Sequence, residues 1–377
     1  MTESLLDHLA VRQHCPECDP QQVHSKSVKI ADRSFKCFRC AASGGLAEGL
    51  RLFNIAKSIQ QPQQKTGNWF DTAWTIYARA ATHAHEYLLD RGYPQEILNL
   101  EFGWANKASA LQDGGLNWQQ VEAIGLGSAQ SGRELFDRRV VFPIRNTFGR
   151  ITHFQARSTD PESKCKWLAS KSGSIGGSSA PISNALYNAH KLKHWAEQKQ
   201  DTILLCEGIS DALAIGCMGL PAVATFGIQQ LNLDRHLELA DFNIIAMYDN
   251  DRHALGTSKL SGQPKSWASM LPQLAALQRQ LVPGRQVYVL EIPAISGVKD
   301  TFDLCKCLEW DKAALLDYGQ LKSQTLATKI LNTFSIDSPD LIKHLAGVPC
   351  TPDQTAIVDK AIVHQGGWLN AIDRAFY

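Results

Sequence analysis

Apolar and polar positions follow one another in three rhythms along this chain, and each predicts a different kind of element. Residues 28–35 alternate as a β-hairpin with its turn near Asp32, which places Cys37 just after the second strand. Residues 47–59 read as a short helix, and residues 60–68, polar with Pro62 and Gly67, read as a linker. From 69 to 90 the apolar residues Trp74, Tyr77, Ala81, Ala84 and Leu88 keep helical spacing, until Arg91-Gly92-Tyr93-Pro94 stops the helix. Pro94 suits the first turn of a second helix. Residues 139–144 and 150–157 are two β-like runs joined through Asn146-Thr-Phe-Gly149, a hairpin signal, and the Ser- and Gly-rich stretch 170–183 reads as a mobile loop.

Beyond Asp201 the rhythm changes to short apolar runs alternating with helical stretches. Strands are expected at 202–206, 221–225, 243–248 and 286–292, and helices at 211–218, 231–240 and 267–281. That alternation predicts an α/β unit with a parallel sheet covered by helices. Residues 311–377 read as wholly helical. No internal repeat is visible. The organisation is therefore a small β unit at 1–59, a linker at 60–68, a mixed α+β unit at 69–199, the α/β unit at 200–310 and a helical region at 311–377.

Composition narrows this picture. A chain of 377 residues with 44% hydrophobic and 20% charged residues is expected to be soluble, with two or three domains. No apolar run reaches the roughly 18 residues needed to span a bilayer. The first residues lack the basic start and apolar core of a secretory signal, so a cytoplasmic protein with no membrane partner is expected. Net charge is only +1, but its distribution is uneven. Residues 133–199 hold 12 Lys/Arg against 5 Asp/Glu, whereas residues 200–310 hold 8 against 12. A region suited to phosphates precedes one suited to divalent cations.

Cys15, Cys18, Cys37 and Cys40 form two Cys-x-x-Cys knuckles with 18 residues between the inner pair. A hairpin in that interval can gather four thiolates, the tetrahedral set of one structural zinc ion. The other six cysteines are scattered and read as core residues or bystanders. Carboxylates follow three of the four expected strands. Glu207 follows the first strand with Asp211 one helical turn on, Asp249 and Asp251 follow the third, and Asp300 and Asp303 follow the last. Ligands of open α/β sheets bind beyond the strands' carboxyl ends. Hard oxygen donors there suit magnesium or manganese, and two such ions could stabilise the attacking and leaving oxygens of a displacement. An Asp-x-Asp alone is more often a solvated turn; the shared position after strands is what gives these residues weight.

Cys206-Glu-Gly-Ile-Ser-Asp-Ala-Leu213, Thr225-Phe-Gly227 and Met247-Tyr-Asp-Asn-Asp251 resemble the Toprim domain of topoisomerases and primases. The resemblance implies that Glu207 acts in acid–base chemistry or metal binding, that Asp249 and Asp251 hold magnesium, and that Asp300 or Asp303 contributes further. The last pair departs from the family's tighter Asp-x-Asp. Phe35-Lys-Cys-Phe-Arg-Cys-Ala-Ala-Ser-Gly-Gly45 is similar to the second knuckle of primase zinc-binding domains, although Cys18 stands where DnaG-type chains usually carry histidine. Arg33, Lys36, Phe38 and Arg39 combine charge with a stacking face and are candidates for reading template. The segments 138–145, 149–157 and 166–170 resemble the amino-terminal part of a primase catalytic core, making Arg139, Arg145, Arg157 and Lys166 candidates for holding template and nucleotide. Asn184-Ala-Leu-Tyr187 matches a further landmark, but Ile182 replaces the usual lysine, and Lys191 or Lys193 are the nearby substitutes.

The resemblance covers residues 10 to about 310 and points to a DnaG-type or phage-like primase without a helicase domain, since no Gly-x-x-x-x-Gly-Lys-[Ser/Thr] loop occurs. It implies RNA primer synthesis in DNA replication, with single-stranded DNA and ribonucleoside triphosphates as partners and a separate helicase at residues 311–377. A compact phage or mobile-element enzyme is one origin this layout fits. Two rival expectations stand beside it: a Toprim nuclease, which uses the same carboxylates but needs no triphosphate site, and a non-catalytic primase-like factor that recruits replication proteins through its zinc ribbon and tail.

Overall fold

The computed structural model describes residues 28–31, 34–37, 43–45, 69–171, 185–227, 237–249, 265–293, 296–334, 341 and 344–364. The expected helix at 47–59, the linker 60–68, most of the Ser/Gly loop and most of the helix expected at 231–240 lie outside the described residues. So do Cys15, Cys18, Cys40, Arg33, Phe38, Arg39 and Asp251, while Lys36 and Cys37 are described by their backbone alone. The chain divides into one unit of residues 1–65 with 282–284 and another of 66–281 with 285–377.

In the first unit, β1 (Val28–Ala31), β2 (Ser34–Cys37) and β3 (Ser43–Gly45) form an antiparallel sheet in that order. Ile30 stands opposite Phe35 and Val28 opposite Cys37, the antiparallel register that the alternation predicts. Cys37 is the last residue of β2 rather than the residue after it. The strand Ser43–Gly45 was not expected, because Ser-Gly-Gly carries no apolar alternation.

The second unit opens with two helices, Trp69–Arg79 and Thr82–Asp90, where the sequence predicts one. The break is made by tight bonds from Ala80 N to Tyr77 O and from Ala81 N to Ala78 O. Its reason is packing. The first helix sends Phe70, Ala73 and Tyr77 into a core with Phe136 and Phe154, whereas the second sends Ala84 and Leu88 into a different one. One straight helix could not serve both. After Pro94 the expected helix is a short 3-10 turn, Gln95–Asn99.

β4 (Gly103–Ala105), β5 (Gly127–Ser128), β6 (Arg133–Glu134), β7 (Arg139–Arg145), β8 (Ile151–Ser158) and β9 (Trp167–Ala169) follow. β4, β7, β8 and β9 make an antiparallel sheet in the order β4-β7-β8-β9, and β5 pairs with β6 alone. The β7–β8 hairpin turns where expected, with Asn146 Oδ1 accepting from Phe148 N and Arg150 N and Gly149 at φ +81°.

The five-stranded sheet contains β10 (Thr202–Cys206), β11 (Ala222–Ala224), β12 (Asn243–Met247), β13 (Val287–Val289) and β14 (Gln324–Thr325), in the order β11-β10-β12-β13-β14. The first four are parallel, as expected, but β14 is an antiparallel edge strand. The sheet is therefore mixed, and residues 311–377 are not wholly helical. The helices Lys312–Lys322 and Leu326–Thr333 flank β14, and Pro352–His364 follows. β10 shows why an uninterrupted apolar run is required here: Ile203 and Leu205 face one core, Leu204 and Cys206 another. The helix Ile209–Cys217 packs in the core shared with β7, whereas Lys265–Gln278 supplies Met270, Leu271 and Leu274 to the opposite face. Among the described residues no helix is long and apolar enough to cross a membrane.

Candidate active site at the carboxyl edge of the sheet

β10 connects outward to β11 on one side, while β12 lies on its other side. The chain leaving β10 and the chain leaving β12 therefore diverge, opening a crevice at their carboxyl ends. Glu207 and Asp249 stand there, both half-buried, Glu207 directly after β10 and Asp249 two residues after β12. Gly208 turns the chain into the helix Ile209–Cys217, whose first turn carries Asp211.

Asp211 is buried, and its Oδ1 accepts a bond of 3.3 Å from Phe302 N. That bond ties the helix after β10 to the first turn of the helix Thr301–Cys307. Burial, and then the neighbouring Asp300 and Glu207 carboxylates, push its carboxyl far above the usual carboxylate range. Asp300 caps the helix Thr301–Cys307 by accepting from Asp303 N at 2.8 Å, and burial raises it as well. Asp303 instead turns back to accept from Lys299 N at 3.3 Å. Asp300 is thus the member of the pair that faces Asp211, a choice the two-residue spacing left open. Arg91, which the sequence marks only as part of a helix stop, stacks 5.0 Å from the Phe302 ring and holds down the rise at Asp300.

Among the described residues no three His, Cys, Asp or Glu side chains are gathered tightly enough to hold a metal ion. Asp251 lies outside them. The donor chemistry nevertheless fits a hard divalent cation: every candidate is a carboxylate, and the Asp300 and Glu207 charges that add to the effect of burial at Asp211 are ones a cation offsets. The four-thiolate set at Cys15, Cys18, Cys37 and Cys40 likewise fits zinc by donor type, although only the backbone of Cys37 is described.

The basic candidates separate into two kinds. Arg139 is buried and donates to Cys165 O at 3.0 Å and Lys166 O at 3.3 Å, fastening β7 to the segment before β9. Arg145 is ion-paired with Glu101 and donates to Gly149 O at 2.9 Å, bracing the hairpin tip. Arg157 and Lys166 are more available. Lys166 is exposed, and Arg157 lies 5.2 Å from the Trp167 ring with Nε donating to Tyr87 Oη at 3.3 Å. Trp167 was not singled out in the sequence; an aromatic directly after a lysine in a β-like run was the available signal. Lys191 lines a cavity with Gln200 and Pro221, residues that precede strands. It therefore lines the edge opposite Glu207, while Ile182 lies outside the described residues. Of the scattered cysteines, Cys206, Cys217 and Cys305 are buried, while Cys165 and Cys307 are exposed.

Residues 73–193 match the family described as the N-terminal domain of the DNA primase catalytic core. The DNA primase of Thermotoga maritima is 26% identical over 279 residues, covering 64% of this chain and 47% of its own length. That of Escherichia coli K12 is 27% identical over 266 residues, covering 66% of this chain and 38% of its own length. The chain thus spans less than half the length of these relatives. Among solved structures, a DnaG primase catalytic domain bound to single-stranded DNA matches with a TM-score of 0.60 at 22% identity, over 81% of this chain and 96% of that one. The zinc-binding and RNA polymerase domains of Aquifex aeolicus primase match with a TM-score of 0.59 at 19% identity, over 96% and 93%. At that identity the structures establish a shared mixed α/β fold. Taken with the match at residues 73–193 and the curated relatives, they make this chain a relative of the DnaG-type DNA primases.

Proposed function

We propose that this chain is a primase that makes short RNA primers on single-stranded DNA by metal-dependent nucleotidyl transfer. The observation that carries the reading is the convergence of Glu207, Asp249 and Asp300 at one sheet edge, in a chain whose residues 73–193 match the primase core. Asp249, Asp251 and Asp300 would hold magnesium or manganese, with Asp303 beside them and Glu207 as ligand or acid–base group. Bound there, the cation supplies charge neutralisation for the triphosphate and for the oxygens between which the phosphoryl group passes.

The remaining work falls to the chain's own groups. Asp211 and its bond to Phe302 N hold the turn that carries Asp300 against the helix after β10. Glu207, beside the crevice, would accept a proton from an attacking hydroxyl. Lys166 and Arg157, with the Trp167 ring alongside, offer charge and a stacking face to template or nucleotide, and Arg139 and Arg145 keep that sheet in shape. The zinc set at Cys15, Cys18, Cys37 and Cys40 would fold the first unit, with Arg33, Lys36, Phe38 and Arg39 reading template. A separate helicase would dock on the helix Lys312–Lys322, whose Leu316 and Leu321 are 50% and 79% exposed.

The test is incorporation of labelled ribonucleotides on random-sequence single-stranded templates with magnesium, beside the Asp249→Ala/Asp251→Ala variant. Short products that vanish in the variant are expected. Template cleavage without any product would overturn the reading in favour of a nuclease.

A further inference from the structure

The edge of the five-stranded sheet opposite the carboxylates holds a cavity of about 200 Å³. Gln200, just before β10, and Pro221, just before β11, form one side, and Lys191, Trp195 and Gln198 another. Gly219, at φ +67°, has no heavy atom within 4 Å of where a Cβ would stand, which keeps that wall open.

The charges around this cavity are unbalanced. Lys191 is half-buried, and burial draws its pKa down although Glu101 opposes the shift. Glu101 is already engaged through both oxygens by Arg145. Among the described residues Lys191 has no ion pair. Its neighbour His190 has a buried Nδ1 with no hydrogen-bond partner and is held neutral by burial and by Lys191. An ammonium partly withdrawn from water, whose nearby carboxylate is already bonded to another cation, is stabilised by any further anion that reaches it. A dianionic phosphate gains more from a single ammonium than a carboxylate does. Trp195, partly buried against the core, gives the cavity an aromatic wall, and the amides of Gln198 and Gln200 can donate or accept. The volume exceeds what a phosphate alone requires.

We propose that this cavity is a second ligand site, taking a small phosphate monoester whose phosphate is held by Lys191 and whose organic part lies against Trp195. It is cation-lined where the crevice at Glu207 is anion-lined, so binding needs no divalent metal.

The test uses the full chain in EDTA, with adenosine and guanosine 5′-monophosphates and inorganic phosphate titrated by calorimetry. Nucleoside monophosphates are expected to bind at one site, more tightly than inorganic phosphate, and Asp249→Ala is expected to leave that binding intact. Lys191→Met should weaken it at least tenfold. Gln198→Glu, on an exposed residue at the cavity wall, should do the same by offering Lys191 a competing carboxylate, and it decides the matter if Lys191→Met fails to fold. Absence of binding at millimolar concentration, binding that survives both variants, equal binding of phosphate and nucleotide, or loss in Asp249→Ala would each overturn the proposal. The readout involves no primer synthesis, so its failure leaves the primase reading where it stands.

Discussion

Asp211→Asn separates what the carboxylate edge does for stability from what it does for function. Asn keeps an oxygen for the 3.3 Å bond from Phe302 N while removing the charge. In the folded, metal-free protein, burial and the Asp300 and Glu207 carboxylates hold Asp211 protonated well above its ordinary range. The unfolded chain releases the same proton near pH 3.9. Between those points the folded state binds more protons than the unfolded state, so stability falls as pH rises from about 4 until the folded carboxyl itself ionises. The slope is at most about 1.4 kcal/mol per pH unit, which gives about 2–3 kcal/mol over two units. Urea denaturation in EDTA at pH 5, 6, 7 and 8 reads this directly. Asp211→Asn should be the more stable protein at pH 8 by about 2 kcal/mol and should match wild type near pH 4. Parallel wild-type and variant curves across that range would refute the raised Asp211 carboxyl, and with it the burial and neighbouring carboxylates argued to cause it.

Two further outcomes follow from groups away from the crevice. His190, pulled down to about 4 chiefly by burial, should leave stability complete above pH 6.5 and erode it as pH falls towards 4, by about 1–2 kcal/mol after allowance for its partial exposure; His190→Gln should flatten that limb in a denaturation series. Lys329, 2% exposed, is paired with Glu291 Oε1 at 2.5 Å just beyond β13. Glu291→Ala should lower the urea midpoint by an amount equivalent to about 2–4 kcal/mol, and the double variant with Lys329→Met should recover at least half, because the buried charge leaves with its partner.

The legible parts of this fold were those in which one local rule sufficed. The β7–β8 hairpin announced itself by alternation ending in Asn146 and Gly149, and β10 by an apolar run too short for a helix. The two-helix break at Ala80-Ala81 could not be read, because alanine favours helix and the apolar spacing runs through it unbroken. Only the demand of two separate cores on one segment bends the chain there. β14 is two residues long, and Gln324-Thr325 has no periodicity to detect. Its pairing with β13 places residues 312–333 within the second unit's own sheet and core, which leaves the exposed face of Lys312–Lys322 as their available surface.

Chemistry was legible where position along a strand fixed its place in space. In parallel strands every carboxyl end lies on the same edge, so a residue directly after β10 and another just after β12 must approach one another whatever separates them in sequence. Basic residues had no such rule. Arg139, Arg145, Arg157 and Lys166 look equivalent as cations in the segments that resemble a primase core, yet two of them are spent on carbonyls and on Glu101, while Arg157 is half-buried beside Trp167 and Lys166 is exposed. Lys191 shows the same limit most clearly. Tyr187 N donates to Ala224 O and Asn188 Nδ2 to Ala222 O, so the chain from 187 to 188 runs back along β11 from its carboxyl end towards its amino end. Three residues further on, a lysine that sequence proximity offers to the active site has been carried to the opposite edge, where its charge requires another partner.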